Sequence, residues 1–143
     1  MNMKYIIYQQ DNEAVAVVVP ANCGLTIEQI AAKDVPQGIP YTIIDASDLP
    51  VRDEFRNAWA MIGGKVCHDM VKARSIKREQ LRVERKPLLE ALDVEYMLAL
   101  EKGDKVGQAN ITAQKQKLRD APADPRIEKA KTVDDLKAIK LRS

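Results

Sequence analysis

Residues 69–102 read DMVKARSIKREQLRVERKPLLEALDVEYMLALEK, a run with no glycine and one proline, Pro87. Leu81, Leu88, Leu92, Tyr96 and Ala99 recur at helical spacing and fall on one stripe, with Leu89 and Val94 at its margins. Arg85 interrupts the stripe once. The pattern predicts helix. A proline inside a helix lacks an N–H and crowds the preceding turn, so Pro87 is expected to kink the run or divide it, with Pro87 in the first turn of a second helix. Beyond the run, Gly103-Asp104 punctuates the chain, with Gly103 suited to a left-handed cap after Lys102. Lys105–Asp120 reads as a further helix, with Ile111 and Leu118 seven apart, ended by Ala121-Pro122. Two helices joined by a short glycine-containing turn make a helical hairpin. Thr132 is placed to cap a last short helix, Val133–Ile139, with Asp134 and Asp135 near its positive end.

Upstream, the signals change. Residues 3–9 (MKYIIYQ) and 14–19 (AVAVVV) read as strands joined by the polar loop Gln10–Glu13. Pro20 ends the second. Thr26 and Gln29 fit a capping box for a helix from Ile27 to about Lys33. Tyr41–Asp45 (YTIID) reads as a third strand, Ser47-Asp48-Leu49-Pro50 as a helix start, and Asp53–Met61 (DEFRNAWAM) as a short helix whose Phe55 and Trp59 share a face and fill a core. Gly63-Gly64 is read as the boundary between units, since paired glycines maximise backbone freedom. The expected architecture is α+β: a small β-β-α-β-α domain over residues 1–62, then an extended αα-hairpin with a short C-terminal helix over residues 65–143.

The composition agrees with such a molecule. The chain has 143 residues, 45% apolar and 4% aromatic, with a formal net charge of +2. The charge is uneven: residues 1–60 carry four basic and eight acidic groups, and residues 61–143 carry 19 basic and 13 acidic groups. This asymmetry permits electrostatic contact between subunits or a polyanionic partner for the second half. Ala14–Pro20, the longest apolar stretch, is far short of the roughly 20 residues of a membrane span. Met1–Tyr8 is too short and polar for a signal peptide, so a cytoplasmic setting with Cys23 and Cys67 as free thiols is expected. The hairpin's apolar stripe is narrow. At about 25 cal/mol per Å², a thin two-helix seam struggles against ordering costs of roughly 1–2 kcal/mol per residue. That deficit argues for a partner or an oligomer.

No group of residues assembles into catalytic chemistry. His68, the single histidine, follows Cys67, but a metal needs three or four ligands and no cluster stands nearby. A polar helix-start residue is the plainer reading. Asp53-Glu54 and Asp134-Asp135 are adjacent pairs that complement a helix dipole rather than acid/base couples. Gly63-Gly64-Lys65 lacks the rest of a phosphate loop. No cofactor is expected. The sharper feature is Lys72–Lys86, with seven basic residues against two acidic ones. Arg74, Arg78, Arg82 and Arg85 can share a helical face that meets solvent, an acidic protein surface or phosphates. With Leu81, Leu88, Leu92 and Tyr96 they form the candidate partner-binding set.

The segment Asp34-Val-Pro-Gln-Gly-Ile-Pro-Tyr-Thr-Ile-Ile-Asp45, then Asp48-Leu49-Pro50 and Phe55-Arg56-Asn57-Ala58-Trp59, resembles a pattern in small tailed-bacteriophage proteins encoded among the tail genes. Arg85-Lys86-Pro87-Leu88-Leu89, Leu92-Asp93, Ala99–Asp104 and Lys115–Pro122 are similar to the C-terminal helices of phage tail-fibre assembly and tail accessory proteins. Together these cover about half of the chain, and after Pro122 it departs into a charged helix. The resemblance implies a non-enzymatic virion component or assembly chaperone. It would contact other tail or fibre proteins, or further copies of itself, in the host cytoplasm during assembly or in the virion. The alternative expectation is a nucleic-acid-binding or packaging-associated protein using the basic helix 72–86.

Overall fold

Ile6 and Ile7 are neighbours on one strand, and their side chains start two separate cores. In the computed structural model, which describes residues 3–141, β1 (Lys4–Gln9) lies between β2 (Val15–Val18) and β3 (Tyr41–Asp45) in an antiparallel sheet of order β2-β1-β3. Ile6 stands opposite Val18 and Ile43, and Ile7 opposite Val17 and Thr42. Successive strand residues face opposite ways. Ile6 therefore packs with Ile30, Ala31 and Val35 of α1 (Ile27–Asp34) and the loop after it. Ile7 packs with Val15, Trp59 and Val66 on the other face. The sequence alternation is thus buried on both sides. The capping box at Thr26 forms as expected: its hydroxyl accepts from Gln29 N at 3.2 Å while the Gln29 side chain accepts from Thr26 N at 2.8 Å.

The second face is covered by a hairpin where a helix was expected. Asp53–Met61 is not helical as a whole. A 3₁₀ turn covers Arg56–Ala58, and β4 (Trp59–Ile62) pairs antiparallel with β5 (Lys65–His68). Trp59 and Met61 face the core while Ile62 is 61% exposed, the two-residue period of a strand. Phe55 and Trp59 are both buried, but not through a shared helical face. Ser47–Pro50 likewise supports only a 3₁₀ turn, Ala46–Asp48.

Gly63 and Gly64 are the two loop residues of this β4–β5 hairpin. Their φ values of 60° and 77° are those of a primed turn, whose twist matches a two-residue hairpin. The chain divides into two units between Asp69 and Met70, not at the glycines.

The second unit is helical. α2 (Met70–Lys102) is a continuous 33-residue helix with Pro87 inside it, so the expected division at Pro87 does not occur. α3 (Lys105–Asp120) returns along α2, capped by Asp104, which accepts from Gly107 N at 2.9 Å. Leu92, Ala99, Ile111 and Leu118 form the hairpin core. A short α4 (Pro125–Lys129), started by Asp124 and Pro125, was not foreseen. Thr132 caps α5, which ends at Lys137 rather than Ile139.

The 3₁₀ turn Ala121–Ala123, α4 and α5 all lie against α2. Ile127 and Leu136 are fully buried, and Leu81 at 1% exposure and Ile139 at 4% are nearly so. This corrects the expectation of a thin two-helix seam: the C-terminal segment folds back and supplies a second cluster of buried side chains. The α+β class stands. Among the described residues no helix is long and apolar enough to cross a membrane.

Candidate docking surface

α2 has two faces with different fates. At about 1.5 Å per residue it is roughly 50 Å long. Along its inner face Ala73, Lys77, Leu81, Leu92 and Ala99 are buried. Lys77 is 5% exposed and has its own interaction partner in the structure.

The arginine row runs along this inner side. Arg74 donates to Ile127 O at 3.2 Å and Ala130 O at 2.8 Å, which ties α4 to α2. Arg78 pairs with Glu128. Arg85 donates to Leu118 O at 3.3 Å and Arg119 O at 2.8 Å. Those carbonyls lie in the last turn of α3, where backbone acceptors lack intrahelical donors and a cation meets the negative end of the dipole. Only Arg82 stays on the surface, 3.3 Å from Glu79.

Of the eight residues singled out in the sequence, three arginines therefore hold the unit together. Leu81 and Leu92 are core, Tyr96 is half-buried beneath Lys115 with the ammonium 5.7 Å from its ring centroid, and Leu88 is 46% exposed. The structure does not gather the eight into one outward surface.

The outer face of α2 was not recognised in the sequence. Val83, Pro87, Ala91, Val94 and Leu98 are all exposed. Val83 is 64% exposed, Val94 62% and Leu98 50%. Their spacings of four, four, three and four keep them on one side of a 3.6-residue helix. The span from Val83 to Leu98 is about 22 Å. Met97, 55% exposed, widens the strip at its C-terminal end. The signal was present as a second apolar periodicity. Val94 also lies at the margin of the first stripe and Pro87 also carries a helix-breaking signal, and these mask the second periodicity.

The remaining sequence candidates are structural. His68 ends β5 opposite Trp59 rather than starting a helix, and its Nε2 is buried without a hydrogen-bond partner among the described residues. Cys67 is half-buried and Cys23 exposed, both as free thiols. Among the described residues no three His, Cys, Asp or Glu side chains are grouped as a metal site requires. Comparison of the chain with protein-family models, with curated proteins and with solved structures returned no match.

Proposed function

We propose that this chain is a non-enzymatic accessory protein of a bacteriophage tail or tail fibre, working by protein–protein contact through the outer face of α2. The observation that carries the contact half of this reading is the strip Val83–Pro87–Ala91–Val94–Leu98. A helix in a closed domain turns its apolar residues inward and leaves its other side polar. Here the inward side is already filled by α3 and the C-terminal segment, and a second apolar strip remains in water. Apolar side chains grouped on a polar background mark interaction sites, and an amphipathic helix is read by a partner through anchors at this spacing. The phage assignment rests on the resemblance carried by residues 34–59 and 85–122.

The test is a pull-down against the purified tail and fibre proteins of the source phage, with the full chain and with Val94→Glu. Binding by the wild type and its loss in the variant, with unchanged melting, is the expected result. Failure to bind any of these proteins ends the reading. Undiminished binding by Val94→Glu removes the outer face of α2 from it. Mass spectrometry of purified particles then separates a resident component, which is present, from an assembly factor, which is absent.

A further inference from the structure

A cavity of about 470 Å³ opens in the N-terminal unit, on the side of the sheet that carries the β4–β5 hairpin. Tyr5 and Val17, on neighbouring strands, together with Leu49, Pro50 and Trp59, give it apolar and aromatic walls. Among the described residues Arg52 and Arg56 supply its only charged groups, and no Asp or Glu lines it. A volume of this size suits a small molecule, and such sites combine apolar walls with a few fixed polar groups.

Arg56 is held in place before any ligand arrives. Its Nη2 donates to Val15 O at 2.6 Å, and its guanidinium lies over the Trp59 ring, 4.2 Å from the centroid. A guanidinium bonded to a carbonyl and stacked on an indole keeps its full charge, because neither contact is an anion. Arg52 stands close enough to repel it. Burial first, and the Arg52 charge second, hold the Arg56 guanidinium below its ordinary basicity. Both cations line the same cavity, and an oxyanion between them would offset their mutual repulsion. Guanidinium forks bind carboxylate and phosphate through paired, charge-assisted hydrogen bonds.

We infer that this cavity binds a small molecule with an oxyanion head, carboxylate or phosphate, clamped by Arg52 and Arg56, and an apolar body resting on Val17, Leu49 and Pro50. Trp59 reports on it directly. It is the only tryptophan in the chain and lies beneath Arg56, so an anion that draws Arg56 alters its fluorescence.

The full chain is titrated with hexanoate and, separately, with inorganic phosphate. Sodium chloride serves as the control at matched ionic strength. Trp59 fluorescence is followed, and calorimetry is run on the same titrations. The expected result is saturable binding of at least one oxyanion that chloride does not reproduce. Arg52 is exposed, so Arg52→Gln is expected to leave the melting temperature unchanged while weakening binding about tenfold or more, the loss of one charge-assisted contact. Tighter binding of hexanoate assigns the site to carboxylates with an apolar body, and tighter binding of phosphate assigns it to phosphate-bearing molecules. A response that chloride matches, silence in both fluorescence and calorimetry, or an Arg52→Gln variant that binds as the wild type does, overturns the inference.

Discussion

Arg74 donates to two backbone carbonyls of the C-terminal segment, whereas Arg82, eight residues further along α2, reaches only the exposed Glu79. A hydrogen bond from a charged donor contributes about 1.5–3 kcal/mol, and losing it leaves part-buried acceptors without a donor. An exposed ion pair three residues apart contributes little, because water screens it and two long side chains lose freedom. Arg74→Ala is therefore expected to lower stability by about 2 kcal/mol, and Arg82→Ala by less than about 0.5 kcal/mol. Urea unfolding midpoints of the two variants check this, and equal effects would contradict the division of roles. The sequence showed a basic row on one helical face, but not that two of its members end on backbone carbonyls. Those partners lie 53 and 56 residues away for Arg74, and 33 and 34 for Arg85. No local pattern encodes them.

At the scale of elements, β1, β2, β3, α1, α3 and the cap at Thr26 are legible because each carries its composition, period or cap signal within its own few residues. Thr26 with Gln29 is read from spacing alone, whereas the cap that Asp104 makes on Gly107 N is seen only in the structure. The β4–β5 hairpin was missed because Trp59–Ile62 is a short apolar run, in which two-residue and 3.6-residue periods cannot be separated. The paired glycines are a hairpin signal rather than the flexible boundary expected of them. The two roles predict opposite outcomes for Gly63→Ala. In a hinge free to adopt negative φ the change is neutral or stabilising, by restricting the unfolded chain. In this turn, at φ 60°, it is expected to cost about 1 kcal/mol, read as a lower melting temperature. Pro87 is the converse case. α2 continues through it because Leu81 before it and Leu92 after it are buried on the same inner face, so packing on both sides outweighs the lost hydrogen bond. Pro87→Ala restores that bond and is expected to add about 1–3 kcal/mol, seen as a higher melting temperature by circular dichroism.

Over the whole molecule, the second unit closes on itself only when residues beyond Pro122 are counted. Ile127 and Leu136 are fully buried and Ile139 nearly so. Arg74 and Arg78 both take their partners from α4 and the residue after it. Leu136→Ala leaves a cavity in a filled site and is expected to cost about 2–4 kcal/mol in chemical denaturation. Deleting residues 124–143 removes the partners of Arg74 and Arg78 and uncovers Leu81. A marked fall in melting temperature is expected, followed by circular dichroism. A truncated chain that melted as the full one does would show that the fold-back contributes nothing. The argument for docking changes accordingly: it rests on the exposed outer strip of α2, not on a unit short of apolar surface.

The α+β class, the first three strands, α1, α3 and the capped helix starts at Thr26 and Thr132 follow from the sequence itself, because periodicity, caps and turn residues act over a few positions and carry their own geometry. Tertiary structure alone decided that the C-terminal segment folds back on α2 and that a second apolar strip stays bare, where Arg74 and Arg85 end, and that Arg52 and Arg56 share a cavity lined by no acidic side chain. These outcomes depend on chain segments that meet across tens of residues, so they are set by packing and solvation of the folded whole and by no local spacing.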